Sequence, residues 1–291
     1  METPYSFVLA RLEEDLVLRQ LSAHTVSNYL THIRLFLVWA ARPVDALDAD
    51  DIRRFLVFLV RDQQLAPGPV NVYSAAIRFF FAVTLNRSLN SLQIPRQKLP
   101  DTLPRVLSRA DIAALIAQTA HVKHRAWLTL LDGSGLRVSE AAAIKTPHLD
   151  SHAMRVFGHG GKGHQDRYTL LSRAALQALR ADWRQDRPRH PDGWLFPGPG
   201  PSGHVTPSSI QQAYRHAAAA VPLDPPGSVH TLRPRFATHL LEDGATLLQI
   251  KELLGHRSIP SPTVYLHLAN LTAGLRSPLD GGSTEVTSHV R

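Results

Sequence analysis

The chain contains no cysteine. That single absence removes disulfides, thiolate catalysis and cysteine-ligated zinc. Long uncharged apolar runs are missing too: every extended hydrophobic stretch is broken by charge, so no transmembrane helix is expected. The opening residues, Met-Glu-Thr-Pro-Tyr, lack the basic and apolar regions of a secretory leader, and a cytoplasmic location is expected. There is no H-E-x-x-H motif, although the chain has 16 histidines. His121 and His124 are spaced H-x-x-H, and His159 and His164 flank Lys162. None of them comes with an acidic or cysteine ligand set, so no metal site is expected. Acidic residues are in short supply: 24 Asp+Glu face 32 Lys+Arg.

That shortage gives a formal charge of +8 and points to an anionic partner. The excess is uneven, with 11 Lys+Arg against 9 Asp+Glu through residue 100, and 21 against 15 beyond it. Arginine dominates, which suits bidentate contacts with phosphate. The length, 291 residues, is enough for two domains, and 44% hydrophobic residues are enough to give each a core.

Residues from about Tyr5 to Leu85 read as four amphipathic helices. The first presents Phe7, Leu9, Leu12, Leu16 and Leu18, and the second Val26, Tyr29, Leu30, Ile33, Phe36, Leu37 and Trp39. Asp50 is placed to cap the third, which turns Ile52, Phe55, Leu56 and Leu59 inward, and the fourth starts near Pro69. Three prolines within Ile94–Pro104 stop any helix there, which suggests domains at 1–94 and 107–279 joined by a linker over 95–106. In the linker region Arg96, Lys98 and Arg105 are either backbone-contacting cations or ordinary solvated charges. Ser108 and Asp111 form a candidate cap for a helix over 109–119, followed by helices near 123–132 and 137–145. Met154–Phe157 and Arg167–Leu171 read as strands around a glycine-rich turn. Further helices are expected near 173–186, 207–220, 231–242 and 246–254, with a fraying tail over 280–291. The result is a mainly α chain with a small β-sheet.

Within the second half, chemistry-bearing residues recur in short motifs: Gly-Leu-Arg137-Val-Ser-Glu140, Gly-Gly-Lys162-Gly, His230-Thr-Leu-Arg233, Leu-Gly-His256 and Tyr265. Glu140 lies three residues after Arg137 at a helix start and can hold its guanidinium; an ordinary ion pair has the same spacing. Gly133 and Gly135 just upstream would let an anion approach the backbone. His230 and Arg233 sit at another helix start, where anions are favoured. Lys162 tips a flexible turn. Gly255 suits the end of a helix, leaving His256 just beyond it. Each motif alone is weak, but two arginines, a lysine and two histidines are what a phosphodiester would need around it.

In this order and with these flanks, the motifs resemble the tyrosine recombinase (phage-type integrase) family, nearest its Xer-like and mobile-element members. The match runs through Gly-Ser-Gly-Leu-Arg137-Val-Ser-Glu140, His230-Thr-Leu-Arg233, Phe236-Ala-Thr-His-Leu-Leu and Leu-Leu-Gly-His256 to Tyr265. Leu21–Tyr29 and Ile33–Ala40 are similar to the family's N-terminal module. The resemblance implies a SAM-like helical bundle that binds the core DNA site and a mixed α/β catalytic domain. It implies that Arg137 and Arg233 clamp the scissile phosphate with help from His256, and that His230 moves a proton. By the same resemblance Lys162 protonates the departing 5′ oxygen, and Tyr265 attacks phosphorus to give a 3′-phosphotyrosyl link. The implied partner is double-stranded DNA carrying a specific site, bound by four protomers in a C-shaped grip, with a Holliday junction as intermediate and neither ATP nor metal required. When bound to DNA the protein would sit on the nucleoid. Arg34 and Arg78, on the second and fourth helices, are candidates for groove contacts.

Three departures from the family pattern stand out. Pro234 and Arg235 replace the usual histidine and serine after the second arginine, Asp132 is atypical before the first, and Pro260 and Pro262 precede Tyr265. Two other readings remain at this point: a type IB topoisomerase, which the helical N-terminal module argues against, and a DNA-binding protein carrying an inactive relic of the site.

Overall fold

A computed structural model describes residues 5–89, 94, 96–99, 106–159, 166–186, 190–200, 202–223 and 227–255. The chain divides into two compact units, Met1–Thr102 and Leu103–Arg291. Among the described residues no helix is long and apolar enough to cross a membrane.

Among the described residues of the first unit there are four α-helices: α1 (Ser6–Leu18), α2 (Ala23–Ala40), α3 (Ala49–Arg61) and α4 (Pro67–Phe79), the last running into a π-turn over Phe80–Thr84. On α1 the buried residues are Leu9, Leu12 and Leu16. Phe7 and Leu18 are 84% and 78% exposed, which corrects the apolar face expected for this helix. The physical reason is phase: each lies two residues, about 200°, from a member of the buried stripe. Phe36 of α2 and Phe55 of α3 meet at the centre with ring centroids 5.2 Å apart. The cap of α3 is Asp48 rather than Asp50. Its carboxylate accepts the Asp51 amide and Asp51 returns the bond to the Asp48 amide, a reciprocal arrangement that satisfies two orphan donors. Helix α4 begins at Pro67, two residues before the expected start, because proline costs nothing at the first helical position.

The segment after this bundle is held against it. Ile94 is buried, Arg78 donates to its carbonyl, and Asn71 exchanges two hydrogen bonds with the Gln97 backbone.

Helix α6 (Val122–Ser134) runs through the core of the second unit with Trp127, Leu128, Leu130 and Leu131 buried. Around it lie α5 (Arg109–Ala117), the short α7 (Val138–Ala142), α8 (Arg173–Asp186), α9 (Pro207–Ala219), α10 (Leu232–Glu242) and α11 (Leu247–Leu254). A three-stranded antiparallel sheet, β1 (Leu149–Asp150), β2 (Arg155–Gly158) and β3 (Arg167–Leu170), has the order β1-β2-β3. In β2–β3 the register pairs Val156 with Thr169 and Gly158 with Arg167. The Thr169 hydroxyl donates to the Ser134 carbonyl at 2.7 Å, tying β3 to the end of α6. The architecture is mainly helical with one small sheet, as the sequence reading expects.

Candidate active site

Helix α6 ends at Gly135, whose backbone is left-handed at φ 62°. A side chain there would come within 2.4 Å of Phe236, and one at Gly133 within 2.3 Å of the Ser172 hydroxyl. Both glycines therefore serve internal packing and the helix end. This corrects the expectation that they open the backbone to an anion: the space a Cβ would need is filled by protein.

Two residues later the chain turns into α7. Arg137 is the residue before its first turn, with extended backbone, so it flanks the helix rather than lying within it. Glu140 accepts the Arg137 amide at 2.8 Å through one oxygen and the Arg137 guanidinium at 2.7 Å through the other. The Glu140 side chain is almost wholly buried, while Arg137 stays 27% exposed. One nitrogen of the Arg137 guanidinium is thus fixed by Glu140.

Arg167, which sequence reasoning did not single out, completes the arrangement. It grips Glu140 through both nitrogens of its fork at 2.8 Å each, and its Nε donates to the Leu253 carbonyl at 2.7 Å. Burial alone would raise the Glu140 carboxyl, but the hydrogen bonds from Arg167 and Arg137 win and hold it at about 2.

Arg233, in the first turn of α10, donates to the Gly135 carbonyl at 2.6 Å and also to the Leu254 carbonyl. The two arginines implied as the clamp are therefore attached to the same short turn, Gly135-Leu136-Arg137. Pro234 follows within that first turn, where its lost amide has no partner to forfeit. His230 is exposed on a 3-10 turn over Val229–Thr231. Its Nε2 lies 3.4 Å from the Gln211 amide nitrogen, a second neighbour that the motifs did not reveal. Helix α11 ends at Gly255 in left-handed conformation, φ 63°, as the glycine of the Leu-Gly-His256 motif predicts. Lys162, His256 and Tyr265 lie outside the described residues, as do Arg105, Pro260, Pro262 and the tail over 280–291.

The two atypical residues beside the motifs prove to be partners. Arg235 is buried, donates to the Leu107 carbonyl at 3.1 Å and forms an ion pair with Asp132. Burial pushes the Asp132 carboxyl up, and Arg235 opposes it without prevailing.

Among the candidate DNA contacts, Arg34, Arg96 and Lys98 are exposed. Arg78 is partly buried and donates to the Ile94 carbonyl. Of the histidines spaced H-x-x-H, His121 caps α6 by accepting the Lys123 amide at 3.2 Å, and its ring stacks on His124.

Residues 101–271 match the model of the phage integrase family, and residues 8–91 match its N-terminal SAM-like domain. A putative integrase/recombinase, y4qK, of Sinorhizobium fredii is 38% identical over 93% of this chain and 87% of its own length. The tyrosine recombinase XerD of Rhizobium meliloti is 31% identical over 90% and 91% respectively. In fold, the chain is similar to a lambda integrase fragment solved as a dimer on a core site, with TM-score 0.69, 16% identity and coverage of 93% and 97%. The chain belongs to the phage integrase family of tyrosine recombinases, a family of site-specific recombination enzymes.

Proposed function

We propose that this protein recombines DNA at a specific site by breaking and rejoining strands through a 3′-phosphotyrosyl intermediate. The Tyr265 oxygen attacks the scissile phosphorus and the bond to the 5′ oxygen breaks. His230 accepts the tyrosine proton, and Lys162 supplies a proton to the departing 5′ oxygen. A 5′-hydroxyl attacking the phosphotyrosine reverses these steps and reseals a strand. Arg137, Arg233 and His256 neutralise charge on the phosphate as it becomes pentacovalent. A cationic pocket also favours the ionised tyrosine, whose ordinary pKa is near 10. Phosphodiester energy is retained in the protein–DNA bond, so the scheme uses neither ATP nor metal.

The observation that carries this reading is the shared anchoring of Arg137 and Arg233 on the Gly135–Arg137 turn, with Glu140 holding Arg137. Rigid guanidiniums on one turn can act before the reaction begins, without reorganisation. The similar lambda integrase fragment, solved on a core site, supports DNA as the partner. In the full reaction four protomers grip two duplexes, exchange one strand of each in turn and pass through a Holliday junction. Exposed Arg34 on α2 meets phosphates lining the groove, and Arg96 and Lys98 after α4 contribute backbone contacts.

The test is covalent trapping. Wild-type protein and Tyr265→Phe are mixed with nicked duplexes tiled across the DNA flanking the gene, with chelator present, and resolved on a denaturing gel. An adduct that disappears in Tyr265→Phe is the expected result. Tight binding to one duplex without any adduct would instead favour a relic site.

A further inference from the structure

Arg167 occupies a slot made for it. Its side chain is 6% exposed, in contact with a Glu140 side chain that is 2% exposed. Gly158 and Gly255 form part of the wall. A Cβ on Gly255 would sit 2.8 Å from the Arg167 Cδ, and one on Gly158 would sit 3.5 Å from an Arg167 guanidinium nitrogen. The β3 pattern is inverted to allow this: Arg167 and Thr169 point inward and are buried, while Tyr168 and Leu170 are exposed. A short strand that buries an arginine and exposes a tyrosine is not optimising its own hydrophobic burial.

The contacts define what the slot does. The fork of Arg167 takes both Glu140 oxygens, and its Nε takes the Leu253 carbonyl in the last turn of α11. Arg233 takes the next carbonyl, Leu254. The last carbonyls of a helix have no partner within it, and here two arginines supply one. Glu140 in turn fixes Arg137. A continuous chain of hydrogen bonds therefore runs from Arg137 through Glu140 and Arg167 to the Leu253 carbonyl in the last turn of α11, two residues before Gly255 and three before His256 in sequence.

We propose that Arg167 is a positioning residue for strand cleavage, locking the Glu140–Arg137 pair and the last turn of α11 into one register. The inference rests on the cleavage reading above. A lysine keeps one charge beside Glu140 but cannot span both carboxylate oxygens and reach the Leu253 carbonyl as well. An alanine leaves an arginine-shaped void that free guanidinium can enter.

The experiment uses the full chain and a nicked duplex that wild-type protein cleaves. Single-turnover adduct formation, DNA affinity at fixed salt and thermal melting are measured for Arg167→Lys and Arg167→Ala. Misplacement by about 1 Å is worth roughly 100-fold in rate, so Arg167→Ala should slow cleavage by about that factor and Arg167→Lys by at least about 10-fold, with affinity changed no more than about twofold. Millimolar guanidinium should restore cleavage to Arg167→Ala while leaving wild type unchanged. Arg167→Lys cleaving at the wild-type rate would overturn the proposal. So would a fall in affinity and melting temperature in step with cleavage in both variants, since that is the signature of a purely structural arginine. Should wild-type protein bind the duplexes without forming an adduct, it is the cleavage reading itself that fails.

Discussion

Among the described residues of the second unit, the buried Glu140 and the partly buried Asp132 are each gripped by arginine, and they respond in opposite ways. Glu140 accepts four hydrogen bonds from Arg137 and Arg167, and its carboxyl is held at about 2. Asp132 faces Arg235 and is pushed up by burial. Desolvation acts on both. The difference is saturation: both Glu140 oxygens are bonded twice, whereas the guanidinium of Arg235 is shared with the Leu107 carbonyl. A buried charge is stable only when its remaining lone pairs are also satisfied. The first carboxylate is a permanent anion that holds Arg137 and Arg167 together. The second is a local exchange of packing, in which two residues atypical of the family complete each other.

The largest expected effect tests whether the Glu140 side really serves catalysis. Arg137→Ala should lower the rate of adduct formation by about 1,000-fold, roughly 4 kcal/mol, as loss of one preorganised donor does elsewhere. Arg235→Ala should leave cleavage chemistry alone and act on stability. It strands Asp132 in a partly buried position, so denaturant unfolding near neutral pH should show a loss of about 3 kcal/mol. The loss should shrink as pH is lowered and Asp132 becomes protonated. If Arg235→Ala instead abolished cleavage in a folded protein, the division between the two carboxylates would collapse.

Two smaller effects sharpen the comparison. Glu140 titrates at about 2 when folded and near 4.5 otherwise. Its contribution is therefore fully present above about 4.5 and is lost as pH falls through about 2, on the order of 3 kcal/mol over that window. Unfolding free energies measured between neutral and acidic pH should fall along this limb in wild type, and Glu140→Gln should flatten it. The double change Asp132→Ala with Arg235→Ser removes both partners, and chemical denaturation should find it within about 1 kcal/mol of wild type, well short of the single variant.

Smallest of all, Arg34→Ala should weaken DNA binding modestly and uniformly across sequences. It should reduce the slope of log affinity against log salt by about 1.

Much of this was legible in the sequence, for identifiable reasons. Helix existence follows from apolar periodicity, and the caps at Ser108 and Gly255 follow from local hydrogen-bond chemistry. Errors came where two local signals competed, as with Asp48 against Asp50 and Pro67 against Pro69. Arg137, Glu140 and Arg233 could be named because each sits in a short motif. Arg167 could not: it stands 27 residues from Glu140 and 86 from Leu253, and its strand reads more naturally with Tyr168 and Leu170 inside. Asp132 and Arg235 were each visibly unusual, yet 103 residues separate them, and no spacing rule links them. What the sequence withholds is the partner chosen by tertiary packing.

The most direct test of the account is to locate the covalent bond. The trapped adduct is digested with nuclease and protease, and the modified peptide is sequenced by mass spectrometry. The account predicts one modified residue, Tyr265, joined to the 3′-phosphate of the cleaved strand, with a free 5′-hydroxyl on the other side of the break. Attachment at any other residue, or through a 5′-phosphate, would contradict it.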